Sequence, residues 1–347
     1  MKKNDDGNRP MMMVTRKLNQ VRNSFYVYLP RAWCDKFGLD KNSEVKIKET
    51  PEGLLTVLPP DYEAKIGGIL KVLMEDVGKD RVESVLTGAY IVGANSIQIG
   101  FSKTMDMETR ERISRWIRRL PGFEVLDEHS DKLDISDTSE KQVIIPILKR
   151  QFSTTKYMLN VLIGATETGD LEDSRRLEDR DEDVDRHRYF VERLCHLALQ
   201  DSSYARKIEI SPSDCLHFSL AAKYVERIAD HICGAAAQLE EARELPDDIK
   251  KACIEMGQVY EEMMQAFFSV ESYKGKTPGI YDEGHEAFEV LEKANIMVER
   301  FAKYESASKR AKPAHVLLVM HFGRIASYCA DIGEVGINRI VGSHISG

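Results

Sequence analysis

The chain has 347 residues, with 42% hydrophobic and 31% charged side chains and a formal net charge of −8. This is the composition of an ordinary soluble protein with room for two or three cores, and it argues against membrane insertion, since no apolar run approaches the roughly 18–20 residues that cross a bilayer. The polar start MKKNDDGNRP lacks the apolar core of a secretory signal and reads as a disordered tail over residues 1–13, while six scattered cysteines without a CxxC pair read as buried thiols in a reducing cytoplasm.

Charge is placed unevenly. Residues 1–60 hold eleven basic and seven acidic side chains, a balance of +4, which leaves −12 for residues 61–347. Arg16, Lys17, Arg22 and Arg31 gather in the first part of this segment. A cationic module on an acidic body suggests a localised polyanion site, because phosphate contacts need positive charge only where they occur. Within residues 14–60, Phe25, Val27 and Leu29 alternate with Ser24, Tyr26 and Tyr28, and Val45 and Ile47 alternate with Glu44, Lys46 and Lys48. Leu55 and Val57 are predicted to pair back after the Pro51-Glu52-Gly53 turn, and a short helix over Arg31–Phe37 stops at Gly38. So few apolar side chains cannot bury a core alone, so a second copy is expected to complete it and form a homodimer. Trp33 is expected to pack against that partner, and Tyr26 and Tyr28 to cover the sheet.

Residues 61–145 read as a small α/β module. Val82, Val85, Leu86, Ala89 and Tyr90 have helical spacing, Ser96–Phe101 alternates as a strand, Met107–Leu120 returns to helix, and residues 123–127 and 133–136 are two more short strands. No catalytic constellation is visible there. From about Pro146 the strand signals cease, and breaks near Gly169-Asp170, Ser211-Pro212, Pro246, Thr277-Pro278-Gly279 and Pro313 leave six long helices. Three precede Pro246 and three follow it, giving repeats over residues 146–245 and 246–343. The last helix of each set shares a tripeptide, Arg227-Ile228-Ala229 and Arg324-Ile325-Ala326, so an internal duplication is expected.

In the first copy Phe218, Ala221, Val225, Ile228, Ala229, Ile232, Ala236 and Leu239 form one apolar stripe. Glu226 and Asp230 lie one turn apart beside it. Two such carboxylates repel, and a cation between them would reverse that; oxygen donors suit Mg²⁺, Mn²⁺ or iron. Asp185, on the preceding helix, is a further candidate ligand. The competing reading is two solvated acids screened by Arg227.

Two resemblances bear on this choice. The segment VTRKLNQVRNSFYVYLPRAWCDKFGLDKNSEVKIKE resembles the AbrB/SpoVT swapped-hairpin DNA-binding domain, in its Arg16-Lys17 start, the strand into Leu29-Pro30, Phe37-Gly38-Leu39 and the Glu44–Ile47 strand. YVERIADH, residues 224–231, resembles the signature helix of PhoU-type phosphate-uptake regulators, a duplicated three-helix architecture. The combined layout is similar to archaeal PhoU-related transcription regulators. The implied fold is α+β and multidomain: a dimeric swapped-hairpin β-barrel, an α/β module and an all-α tandem of three-helix bundles. Metal in some family members implies Glu226, Asp230 and Asp185 as ligands of a divalent or iron ion (Mg, Mn, Fe or Zn). The second copy departs, with Gly323 and Ser327 at the acidic positions and only His321, Asp331 and Glu334 nearby. Gly234 replaces a frequent Asn, and Asn42 stands at a usual glycine turn position, where a left-handed backbone is expected.

The resemblance implies that Arg16, Lys17, Arg22 and Arg31 meet double-stranded DNA, the arginines suiting base edges and Lys17 phosphate. The implied function is DNA-binding transcriptional regulation of phosphate uptake, with the helical bundles receiving the signal. The alternative is a signalling adaptor that inhibits a phosphate ABC transporter through its ATPase, without binding DNA. No GxSxG, Walker-type loop or GxGxxG before a helix points to an enzyme.

Overall fold

The computed structural model describes residues 15–49, 53–60, 67–139, 143–242, 245–269, 284–307 and 312–345. The expected tail over residues 1–13, the Pro51-Glu52 part of a turn and the break at Thr277-Pro278-Gly279 lie outside them. Two compact units divide the chain, Met1–Ala64 and Lys65–Gly347.

In the first unit, β1 (Asn19–Val21) and β2 (Ser24–Tyr26) form an antiparallel hairpin closed by Arg22 and Asn23, with Val21 opposite Ser24. A second hairpin pairs β3 (Lys46–Glu49) with β4 (Leu55–Leu58). Between them α1 (Arg31–Lys36) starts after Pro30, and Gly38 follows with φ +63°. The alternation predicts a strand to Leu29, but pairing ends at Tyr26, because a single chain offers residues 27–29 no neighbouring strand. Among the described residues of this unit there is no closed barrel, only two separate two-stranded sheets. The turn at Asn42 also differs from expectation. Its backbone is not left-handed, and Asp40 holds it instead, accepting from the Asn42 N–H and the Ser43 hydroxyl at 2.9 Å each. Among the described residues of this unit, the left-handed non-glycine residue is Arg22, at φ +54° in the hairpin turn.

The second unit contains a four-stranded sheet built from β5 (Ile69–Leu73), β6 (Ser96–Gly100), β7 (Phe123–Glu128) and β8 (Lys132–Asp137), in the order β5-β6-β8-β7. Only β5 and β6 run parallel. Alternation in β6 buries Ile97 and Ile99 completely and turns Ser96 and Gln98 the other way. β5 escaped sequence reading because Ile-Leu-Lys-Val-Leu does not alternate. Short α2 (Met74–Val77) and then α3 (Val82–Ile91) and α4 (Met107–Ile117) accompany the sheet. Asp106 caps α4, its carboxylate accepting from the Thr109 N–H at 2.8 Å.

Six long helices follow: α5 (Ile144–Thr168), α6 (Leu177–Gln200), α8 (Pro212–Ala242), α9 (Asp247–Ser269), α10 (Gly284–Ala307) and α11 (Pro313–Ile345), with short α7 (Ser202–Lys207) between α6 and α8. Pro146 lies inside the first turn of α5, where its missing N–H costs no hydrogen bond, so the helix begins before the proline. Left-handed Gly169 follows its last residue. Phe152 of α5 is fully buried and stacks on Phe267 of α9 at 5.4 Å, in a core shared by both three-helix sets. By length and composition alone, α11 is long and apolar enough to cross a membrane, which the sequence reading overlooked. Within this unit Leu318, Val319, Phe322, Ile325 and Ala326 are buried, and the helix packs on α8, α9 and α10.

The shared tripeptides lie where α8 meets α11. Tyr224 stacks on Tyr328 at 5.9 Å, and the His231 ring stands 5.2 Å from His321. Tyr224 aligns with His321, and His231 with Tyr328, when the two copies are superimposed in sequence. Exchanging the copies therefore converts one contact into the other, the mark of a pseudo-twofold axis between antiparallel helices.

Candidate functional site

In the first unit, Arg16 and Lys17 precede β1, Arg22 occupies the β1–β2 turn, and Arg31 opens α1; all four are exposed. Arg31 pairs loosely with Asp35 one turn on, at 3.7 Å. Arg16, Lys17 and Arg22 have no ion pair among the described residues. The first two cations thus lie before β1 and the third in the turn that ends it. The unit also leaves Val21, Phe25, Tyr28 and Ile47 uncovered, and α1 buries none of its side chains.

In the second unit the expected carboxylates do converge, from α6 and α8. Glu226 is 6% exposed, and Asp185 and Asp230 are half-buried. Cations already stand among them. The Arg188 guanidinium lies 3.6 Å from Glu226 and 4.0 Å from Asp185, and it donates to Glu192 at 3.1 Å. Lys223 and Arg227 reach Glu226 at 3.4 and 3.5 Å, Arg227 also pairs with Asp230 at 2.9 Å, and Arg119 approaches Asp185 at 3.7 Å. Asp181, which the spacing of the expected ligands does not single out, belongs to the same cluster. Burial, followed by the negative charges of Asp185, Asp230 and Glu226, pushes its carboxyl up to about 7. Burial raises Asp185 too, against the pull of Arg188.

Among the described residues no set of three or more His, Cys, Asp or Glu side chains is positioned to hold a metal ion. The donors expected from the resemblance are engaged by guanidinium and ammonium groups, so as arranged they do not fit a bound divalent ion. The acids and Arg188 form a compensated ion network tying α6 to α8. Arg188 sits one turn after the acidic run, and its i,i+3 spacing from Asp185 was the available signal.

A second feature joins two histidines ninety positions apart, which no sequence spacing connects. The His231 and His321 Nδ1 atoms are 2.9 Å apart, so one ring donates and the other accepts. Burial, and then the positive potential of His321, Arg324 and Arg227, takes His231 down to about 4; burial lowers His321 as well. The glycine at 234 has a steric reason, since a Cβ there would lie 2.3 Å from His321 Cε1.

Residues 148–239, spanning most of α5 through most of α8, match the family model of the PhoU domain. Among solved structures the chain is similar to the phosphate transport system regulatory protein PhoU from Streptococcus pneumoniae, at 14% identity over 57% of this chain and 94% of that one, with a TM-score of 0.43. Comparison with curated proteins gives no match.

Proposed function

We propose that the chain is a cytoplasmic, dimeric, DNA-binding regulator of phosphate uptake, whose helical unit receives the signal. The PhoU-domain match over residues 148–239 supports the phosphate-regulatory part. The DNA-binding part rests on one observation: four exposed cations on a unit whose apolar side chains lie open in a single copy. Covering Phe25, Tyr28 and Ile47 with a second copy forms the dimer and doubles the set of exposed cations. A signal alters DNA binding only if the signal-bound helical unit favours one arrangement of the paired basic modules over another.

The test is duplex binding by the full chain at several salt concentrations. Binding should weaken steeply with salt, show sequence preference, and vanish in the Arg16→Ala/Arg22→Ala double variant. Absence of duplex binding even in dilute buffer defeats this reading. The adaptor role, docking on the ATPase of a phosphate ABC transporter, would then remain. Chromosomal occupancy in phosphate-rich and phosphate-starved cells would test the physiological half.

A further inference from the structure

The charge of the second unit is inverted at one place. Between α4 and α6 lies a cleft of about 440 Å³ lined by Arg112, Arg115, Trp116, Arg118, Arg119 and Arg186. Only two carboxylates, Glu83 and Glu182, share its walls. Arg112 is committed to Glu83 at 2.7 Å, and Arg119 leans towards Glu182 at 3.6 Å. Arg115, Arg118 and Arg186 are exposed and make no ion pair among the described residues. The Arg119 Nε is buried and has no hydrogen-bond partner. Trp116, half-buried, is fixed by its indole N–H to Thr87 at 2.9 Å, with the Arg119 guanidinium 4.8 Å from its ring.

We propose that this cleft binds a multiply charged phosphoanion of small-molecule size. Arg112 and Arg115, three residues apart on α4, and Arg118 and Arg119 just past its end set like charges around one cleft, and an anion among them relieves their repulsion. Guanidinium forks match phosphate oxygens two at a time, which favours phosphate over a halide or a simple carboxylate. The volume falls within the roughly 300–1,000 Å³ typical of small-ligand sites. Glu83 and Glu182 at the walls oppose a long continuous polyanion, which sets the cleft apart from the exposed cations of the first unit. Two sources share the chemistry, an inorganic oligophosphate and a nucleoside triphosphate whose base would stack on Trp116. The inference is independent of DNA binding. It supplies an anion site on an otherwise acidic unit without a bridging metal.

The experiment uses the full chain in magnesium-free buffer, titrated with tripolyphosphate and, separately, ATP, and followed by calorimetry and by Trp116 fluorescence in a Trp33→Phe background. Saturable binding of one anion per chain is expected. Neutralising Arg115, Arg118 and Arg186 to Gln should weaken it by at least roughly tenfold for each arginine that contacts phosphate. These side chains are exposed, so the unliganded melting temperature of the variant should match wild type, which shows that the fold is intact. Arg16→Ala/Arg22→Ala should bind the anion as wild type does. Equal affinity for the two anions assigns recognition to the phosphate chain, whereas tighter ATP binding that is reduced in Trp116→Phe assigns it to a nucleotide; either result supports the site. The proposal is overturned if neither anion binds at millimolar concentration or if the triple variant binds undiminished. It is also overturned if that variant loses only duplex DNA binding, which would make the cleft part of a nucleic-acid surface.

Discussion

Phe25 and Phe152 are the same side chain in opposite circumstances. Phe25, in β2 of the first unit, is 65% exposed, while Phe152, in α5 of the second, is fully buried between aromatic neighbours. The contrast extends to the units themselves. One presents its apolar side chains outward from two hairpins and a six-residue helix; the other closes a core around six long helices and a sheet. In a single copy the first unit encloses no core of its own, so whether a second copy supplies one is the first thing to establish.

Paired substitutions would break or sharpen this comparison. Phe152→Ala should cost about 4 kcal/mol in chemical denaturation, from lost burial and the cavity left behind. Phe25→Ala should leave that transition unchanged and instead shift the monomer–dimer equilibrium measured by sedimentation; an unchanged assembly state would show that Phe25 is not covered by a second copy. Arg193→Ala should come next, at about 3 kcal/mol by the same denaturation measurement. This side chain is 1% exposed, donates to the Tyr90 carbonyl at 2.6 Å and to Asp137 at 2.5 Å, and joins α6 to α3 and the end of β8. Among the described residues, no charged side chain of the first unit is comparably enclosed.

Acid should act on the second unit through opposed groups. His231 stays neutral in the fold down to about 4, whereas in the unfolded chain it takes a proton near its ordinary value of 6.5. Stability from this group is therefore complete above that ordinary value and is lost as pH falls between the two. Asp181 does the reverse. Protonated in the fold up to about 7 and ionised in the unfolded chain above 3.8, it costs stability as pH rises through that interval. Asp181→Asn should accordingly raise stability at pH 8 by about 1 kcal/mol after allowance for partial solvent screening, with little change at pH 4. His231→Gln should remove part of the loss on acidification, again about 1 kcal/mol; melting curves over pH 4–8 would check both. The smallest stability effect is expected at Arg31→Ala, a few tenths of a kcal/mol, because its pair with Asp35 is exposed, while duplex affinity should fall measurably.

Periodicity carried most of the secondary structure. Alternation found β6, helical spacing found α3, and proline and glycine signals marked the ends of the long helices, because those patterns are local. β5 was illegible because its exposed face carries Ile69 and Leu73 beside Lys71, so apolar and polar letters do not alternate, and the first-unit strand stops at Tyr26 because residues 27–29 meet no neighbouring strand in a single chain. Glu226 and Asp230 were legible as neighbours, for four-residue spacing places side chains on one face, and Asp185 as a candidate from the preceding helix. What lay beyond reach was the cation inserted among them: Arg188 faces Glu226 only through the α6–α8 packing, and the His231–His321 contact joins residues ninety positions apart. The arginines of α4 were visible as letters, yet only the approach of α6 with Arg186 turns them into a cleft.

The reciprocal seating of α8 and α11 bears on how the chain can be divided. The family match ends at residue 239, but α8 leans on α11 more extensively than on either helix of its own set. An excised piece ending near Ala242 would strip the wall from one side of α8 and leave His231 without its counterpart. The tandem copies are thus mutual scaffolds, and boundaries drawn from sequence similarity do not mark where the polypeptide can be cut.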